Sequence, residues 1–130
     1  CGYAFEQLCL LHVKQIKNAL GISGIQSHVC SWSKPSTVDA DGIRKEGAQI
    51  DLVIDRRDDT INLCEMKFSL TPFEITPAYL RHINDRRELF RQSVATRKAI
   101  HLTFVTTYGL VHNAQSGMIQ SVVTLDDLFS

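Results

Sequence analysis

The stretch Gly47–Leu70, GAQIDLVIDRRDDTINLCEMKFSL, decides the fold of this chain, because it predicts two strands joined by a tight turn. The strands are Gln49–Asp55, in which polar and apolar residues alternate at the start, and the apolar-rich run Ile61–Phe68. The charged segment Arg56–Thr60 between them is typical of a turn. If the hairpin is centred near Asp58, residues whose numbers sum to 116 face each other.

This register brings charged side chains together. It places Asp51 opposite Glu65 and Gln49 opposite Lys67. Glu65 and Lys67 are two residues apart, so they lie on the same face of the strand. Opposed side chains in an antiparallel pair lie about 4.5–5.5 Å apart at Cβ, where like charges destabilise the sheet. A divalent cation between the two carboxylates is the simplest explanation of such an arrangement.

Length and composition indicate a single domain over residues 1–130 with one core. Hydrophobic content of 44% and charged content of 22% are ordinary for a soluble globular protein, and no apolar run is long enough for a membrane span. The net charge of zero counts against tight autonomous binding of nucleic acid, which usually needs a basic surface. Because the chain starts at Cys1 without a Met, we expect it to be part of a longer protein.

The cysteines predict a reducing compartment. Cys1, Cys9, Cys30 and Cys64 form no C-x-x-C pair and no zinc-binding spacing with histidine. Cys9 and Cys64 lie in apolar stretches and are expected to be buried thiols. We therefore expect a cytoplasmic protein.

The rest of the chain alternates helices and strands. Helical spacing of apolar residues predicts a first helix, and Thr76 followed by Pro77 predicts the start of a second helix of about 17–19 residues. The other predicted elements are a strand at Ile25–Trp32, a polar loop at Lys34–Glu46, strands at Lys98–Thr106 and Gly117–Thr124, and a terminal turn of helix at Leu125–Phe129; the first helix is Tyr3–Leu20. The order α-β-β-β-α-β with one further strand predicts an α/β fold with a mixed sheet flanked by helices.

The hairpin carries the candidate chemistry. Asp51 and Glu65 are the oxygen ligands that Mg²⁺ or Mn²⁺ prefers, and Lys67 can position a water or stabilise charge in the transition state. Gln49 can add a polar contact to the substrate. Glu6 is either a third acidic ligand or a carboxylate that interacts favourably with the N-terminus of the first helix.

The second predicted helix adds a further candidate. Its arginines, Arg86 among them, can contact phosphate, because the guanidinium fork suits a phosphate group, or they can form a solvated, ion-paired face. Both interpretations stay open.

Asp51 followed by Glu65–Met66–Lys67 resembles the PD-(D/E)xK signature of restriction-endonuclease-like nucleases. The resemblance implies a core of helix, three strands, helix and strand, and a metal-dependent nuclease site. Glu6 matches the acidic residue that this family often has on its first helix. The departure is Ile50, which stands where the signature has proline.

A further resemblance covers Gly47–Ser69, the segment TTYG at Thr106–Gly109 and TLDDLF at Thr124–Phe129. These segments are similar to the C-terminal domain of bacterial AAA-type ATP-binding proteins, in which a P-loop ATPase precedes a nuclease-like domain. The resemblance implies that an N-terminal ATPase domain of the same chain is a partner.

Three functions agree with these patterns. The first is a Mg²⁺-dependent nuclease acting on DNA, with substrate affinity supplied by the ATPase part or by homo-oligomerisation. The second is a catalytically silent docking or regulatory domain of the ATPase. The third is a nuclease acting on RNA, for which the sequence has no recognisable RNA-binding module.

Overall fold

The computed structural model describes the backbone of residues 2–129 and the side chains of residues 7–129. The elements are α1 (Gly2–Leu11), α2 (Val13–Ala19), β1 (Ser27–Lys34), β2 (Thr37–Val38), β3 (Arg44–Lys45), β4 (Ala48–Arg56), β5 (Thr60–Lys67), α3 (Pro77–Val94), β6 (Ala99–Thr106), β7 (Ser121–Thr124) and α4 (Leu125–Leu128), with a 3₁₀ turn at Ser116–Met118. Within the described part of the chain, no helix has both the length and the apolar character needed to cross a membrane.

Five strands form one mixed sheet in the order β1-β4-β5-β6-β7. β4 pairs antiparallel with β1 and with β5, whereas β6 pairs parallel with β5 and with β7. β5 and β6 are therefore the two parallel strands that α3 connects. The predicted α/β fold with a mixed sheet is confirmed, and β5 is its central strand.

Helices cover both faces of this sheet. On one face, α1, α2 and α4 pack on the strands through a cluster that includes Cys9, Ile16, Leu52, Cys64, Met66 and Leu128. On the other face, α3 packs through Phe90 and Ile83 on a set that includes Val53, Leu63, Ile100, Leu102 and Phe104. Burial on both faces explains why β4 contains three consecutive apolar residues. Because side chains alternate, Glu65 and Lys67 lie on the α3 face with Leu63.

The start of α3 is fixed by its first residues, as predicted. The backbone N–H of Tyr79 donates to Oγ1 of Thr76 at 3.1 Å, and Pro77 is the first helical residue. The helix has 18 residues and ends at Ala95, which adopts a left-handed conformation with φ of 52°. The cap and the proline therefore determine where α3 enters the face that carries Glu65.

The prediction of one continuous helix over Tyr3–Leu20 was wrong. The helix is broken at His12, which has φ of −118° and ψ of 31°. Nδ1 of His12 lies 2.8 Å from the carbonyl oxygen of Leu8, and the backbone N–H of His12 donates to the carbonyl of Cys9. The tighter turn replaces the regular helical bond and separates α1 from α2.

The polar segment before β4, predicted as a loop, contains an exposed hairpin of the short strands β2 and β3. Gly47 follows this hairpin and lies against the segment Lys34–Ser36 that leads into it. A Cβ at Gly47 would lie 2.4 Å from the carbonyl oxygen of Lys34 and 2.6 Å from the backbone nitrogen of Ser36. Only glycine therefore allows the chain to enter β4 so close to the end of β1.

Candidate active site

The pairing of β4 with β5 has the predicted register. The ladder runs from Leu52 opposite Cys64 to Asp55 opposite Ile61, and each pair of residue numbers adds up to 116. Asp51 and Glu65 are the next residues along the two strands, directly beyond the Leu52–Cys64 pair that ends the ladder. The turn side of the hairpin lies at the other end, so the carboxylates stand where β4 and β5 begin to diverge.

A cavity of about 380 Å³ opens at this end of the hairpin. It is lined by Gln49, Asp51, Cys64, Glu65, Met66, Lys67 and Arg86. The fold thus brings together five of the six residues predicted as site residues. The sixth, Glu6, lies in α1, but its side chain is outside the described residues.

Glu65 forms an ion pair with Arg86 across the cavity, from Oε1 to Nη1. Both side chains are largely buried, with 14% of Glu65 and 16% of Arg86 exposed. The same Nη1 lies 3.4 Å from the backbone carbonyl of Gln49. Arg86 therefore contacts both strands of the hairpin and pairs with a predicted metal ligand.

The surroundings of Glu65 disfavour its negative charge. Burial raises the pKa of this carboxyl, and the negative charge of Asp51 raises it further. Arg86, Lys67 and His82 act on the Glu65 pKa in the opposite direction, but burial is the largest effect. A carboxylate in this position gains more from an added cation than an exposed one does.

Asp51 and Lys67 are held by different neighbours. Nε2 of Gln49 donates to Oδ1 of Asp51 at 2.6 Å. Nζ of Lys67 lies 5.2 Å from the ring centroid of Tyr79, within the range of a cation–π interaction. Burial raises the pKa of Tyr79, and Lys67 opposes that increase. The lysine is thus positioned by an aromatic ring on α3.

Tyr79 and His82 also lie near the site, and the sequence pattern did not predict them as its neighbours. Tyr79, His82 and Arg86 are spaced at i, i+3 and i+7 on α3, so they share one side of the helix. This helical spacing is the only feature of the sequence that groups the three residues. It indicates that they belong to a site only when the position of α3 over Glu65 and Lys67 is known.

The donor set suits a hard divalent cation. Asp51 and Glu65 supply carboxylate oxygens to one cavity, and oxygen ligands with retained waters are what Mg²⁺ prefers. Among the side chains of residues 7–129, no group of three or more His, Cys, Asp and Glu residues is arranged to hold a metal ion. The described residues therefore offer two carboxylates, and the remaining ligands of a bound cation would be water, substrate or residues outside this range.

No family model and no curated protein sequence matches the chain. A solved structure described as "Crystal Structure of Protein of Unknown Function AF1548" is similar to it, with a TM-score of 0.56 and 13% sequence identity. The similarity covers 95% of this chain and 64% of that one, so the chain corresponds to less than two thirds of the other protein. At this identity the similarity shows a shared fold.

Proposed function

We propose that this domain is a metal-dependent nuclease of the PD-(D/E)xK type that hydrolyses phosphodiester bonds in DNA. The observation that carries the proposal is the cavity in which Asp51, Glu65 and Lys67 converge. Two carboxylates and a lysine in one partly enclosed space are the groups that metal-assisted phosphodiester hydrolysis needs. The similarity of Asp51 and Glu65–Met66–Lys67 to the PD-(D/E)xK signature supports the same assignment.

Each residue has a distinct part in the proposed reaction. Asp51 and Glu65 would hold Mg²⁺ or Mn²⁺, with Glu6 as a proposed additional ligand. A divalent cation there would supply a water of lowered pKa and positive charge for the phosphate. Lys67 orients or deprotonates the attacking water and offsets charge in the transition state, and Gln49 and Arg86 contact the substrate.

The surroundings of the cavity have room for a polymeric substrate. A second cavity of about 550 Å³ adjoins it, shares Gln49 and Arg86 with it, and is also lined by two carboxylates, Glu46 and Asp85, and by Gly47, Ala48, His82 and Leu89. The space has room for a nucleotide beside the cleaved phosphate, and Arg86 is the cation in its lining that could meet a phosphate, against the opposing charges of Glu46 and Asp85. Because the net charge is zero, affinity for DNA would come from an N-terminal ATPase domain of the same chain or from a homo-oligomer.

The test is cleavage of supercoiled plasmid and single-stranded DNA with Mg²⁺ or Mn²⁺. Loss of general acid–base assistance predicts that Lys67→Ala lowers the rate by about 10²–10⁴-fold. The matched control is Lys45→Ala, which removes an exposed lysine of β3 outside the cavity and should leave the rate unchanged. Equal inactivity of wild type and Lys67→Ala on all substrates and metals would reject the enzyme, and cleavage of RNA alone would change the substrate.

One observation favours a second function, that of a catalytically silent docking or regulatory domain. The ion pair between Arg86 and Glu65 gives this largely buried carboxylate a cation of the protein itself as its partner. Such a domain would bind the ATPase part through its surface and would not need the cavity. Calorimetry separates the two functions: absence of Mg²⁺ and Mn²⁺ binding, together with an ATPase complex that Asp51→Ala does not weaken, would support docking.

A further inference from the structure

Arg86 lies on a part of α3 that is packed on the sheet by its neighbours in the helix. Ile83 and Phe90, three residues before it and four residues after it, are 3% and 4% exposed and pack on the sheet. The backbone at Arg86 is therefore fixed, while its long side chain reaches into the cavity. A change of partner at this residue requires only rotation of the side chain.

Among the side chains of residues 7–129, the charges that line the cavity balance. Its charged lining residues are two carboxylates, Asp51 and Glu65, and two cations, Lys67 and Arg86. A divalent cation between the carboxylates would give the same space two extra positive charges, and it would compete with Arg86 for Oε1 of Glu65. Two cations that need the same carboxylate oxygen oppose each other's binding.

We propose that Arg86 is the counter-ion of Glu65 in the metal-free site and leaves it for the substrate phosphate when a divalent cation binds. This inference rests on the proposed nuclease function. A guanidinium binds carboxylate and phosphate with the same forked geometry, so the exchange replaces one ion pair by another. Metal and DNA then favour each other's binding. The metal displaces Arg86 from Glu65 and makes it available to the DNA phosphate, and DNA that binds Arg86 keeps it from competing with the metal for Glu65.

The direction of one effect distinguishes this role from a structural one. If Arg86 only kept Glu65 correctly oriented, removal of the guanidinium would weaken metal binding. If Arg86 competes with the metal, removal strengthens metal binding in the absence of DNA. The sign of the change, measured without any nucleic acid, therefore separates the two roles and does not depend on catalysis.

The experiment is calorimetric titration of the domain with Mn²⁺ in the absence of nucleic acid. We expect Arg86→Gln to bind Mn²⁺ about 10- to 100-fold more tightly than wild type, the equivalent of one charged hydrogen bond. The matched control is Arg81→Gln, which removes an exposed arginine from the same helix outside the cavity and should change the affinity less than about twofold. Circular dichroism shows whether each variant is folded.

A second measurement on wild type avoids any dependence on the stability of the variant. In nitrogen-15 NMR spectra, the side-chain Nε–H signal of Arg86 should shift during titration with Mg²⁺, and the Arg81 signal should not. Equal or weaker Mn²⁺ affinity of folded Arg86→Gln, or an Arg86 signal unchanged at saturating Mg²⁺, would overturn the inference and leave the nuclease proposal standing. If neither wild type nor Arg86→Gln binds Mn²⁺, the metal-dependent function itself fails.

Discussion

Replacement of Asp51 by Asn should stabilise the metal-free domain. Asp51 and Glu65 line the same cavity, so their negative charges repel each other in the folded chain, and the charge of Asp51 adds to the effect of burial in raising the pKa of Glu65. In the unfolded chain this repulsion is largely lost. Asn has nearly the same shape as Asp, and its side-chain oxygen can still accept the hydrogen bond from Gln49, so the substitution removes the charge and little else.

The size of the effect follows from the position of the two groups. For unit charges about 5 Å apart at an effective dielectric constant of about 20, Coulomb's law gives about 3 kcal/mol. Asp51 is only partly buried, and Lys67 and Arg86 offset the repulsion within the same cavity. We therefore expect a net gain of about 1 kcal/mol, or an increase in Tm of about 3 °C for a domain of this size.

The assay is thermal unfolding by calorimetry with chelator present, over a series of pH values. The repulsion exists only when both carboxyls are ionised, so the gain should be present at neutral pH and disappear as pH falls through the raised pKa of Glu65. The pH dependence of wild-type stability should reflect the same unfavourable ionisation of Glu65. Because the folded state holds the Glu65 proton to a higher pH than the unfolded state, this residue's contribution to stability decreases as pH rises through that window.

The matched control is Asp55→Asn on the same strand. Asp55 lies 2.6 Å from Nζ of Lys98, so its carboxylate has a cation as its partner instead of a second carboxylate. Its replacement should lower the Tm slightly or leave it unchanged. An Asp51→Asn variant that melts at or below the wild-type temperature at neutral pH, with the pKa of Glu65 unchanged by NMR, would refute the reasoning.

Two further predictions concern local structure. Thr76→Ala should cost about 1 kcal/mol in urea unfolding because the backbone N–H of Tyr79 loses its acceptor, whereas Thr76→Ser should retain most of the stability; equal stability of the two variants would contradict the cap. Iodoacetamide should modify the exposed Cys30 in the native protein and leave Cys9 and Cys64 unmodified until denaturant is added, since both are buried and burial raises the pKa of Cys64. Peptide mass spectrometry measures the modification, and native labelling of Cys64 as fast as that of Cys30 would be the contrary result.

The parts of the fold that sequence predicted correctly depend on short-range rules. The hairpin register follows from the turn and from strand alternation, and the start of α3 follows from Thr76 and Pro77. The break at His12 could not be predicted in this way, because the apolar spacing continues through it. Cys9 and Ile16 on either side are both completely buried in the same core cluster, and packing of both on the sheet outweighs helical continuity.

The contact between Arg86 and Glu65 was beyond sequence analysis for a different reason. It joins residues of α3 and β5 that are 21 positions apart, and it depends on how α3 crosses the sheet. The predicted helix contains several arginines, and their distances along the sequence from the hairpin do not show which of them contacts Glu65. Once the parallel crossover places α3 on the face of Glu65, only Arg86 among the described arginines lines the cavity with it.

The position of Asp51 depends on β1 as well as on β5. Cys30 pairs with Val53, but Trp32 pairs with Ile50, so β4 has one residue more than β1 around Asp51. This bulge explains how Ile50 and Val53, three residues apart on a strand, can belong to the same cluster beneath Phe90. Alternation along β5 determines the direction of Glu65 and Lys67, whereas the bulge helps to determine that of Asp51. Glu65 therefore comes from a regular strand, whereas Asp51 comes from the bulged part of β4. That bulge arises from the pairing of β4 with β1.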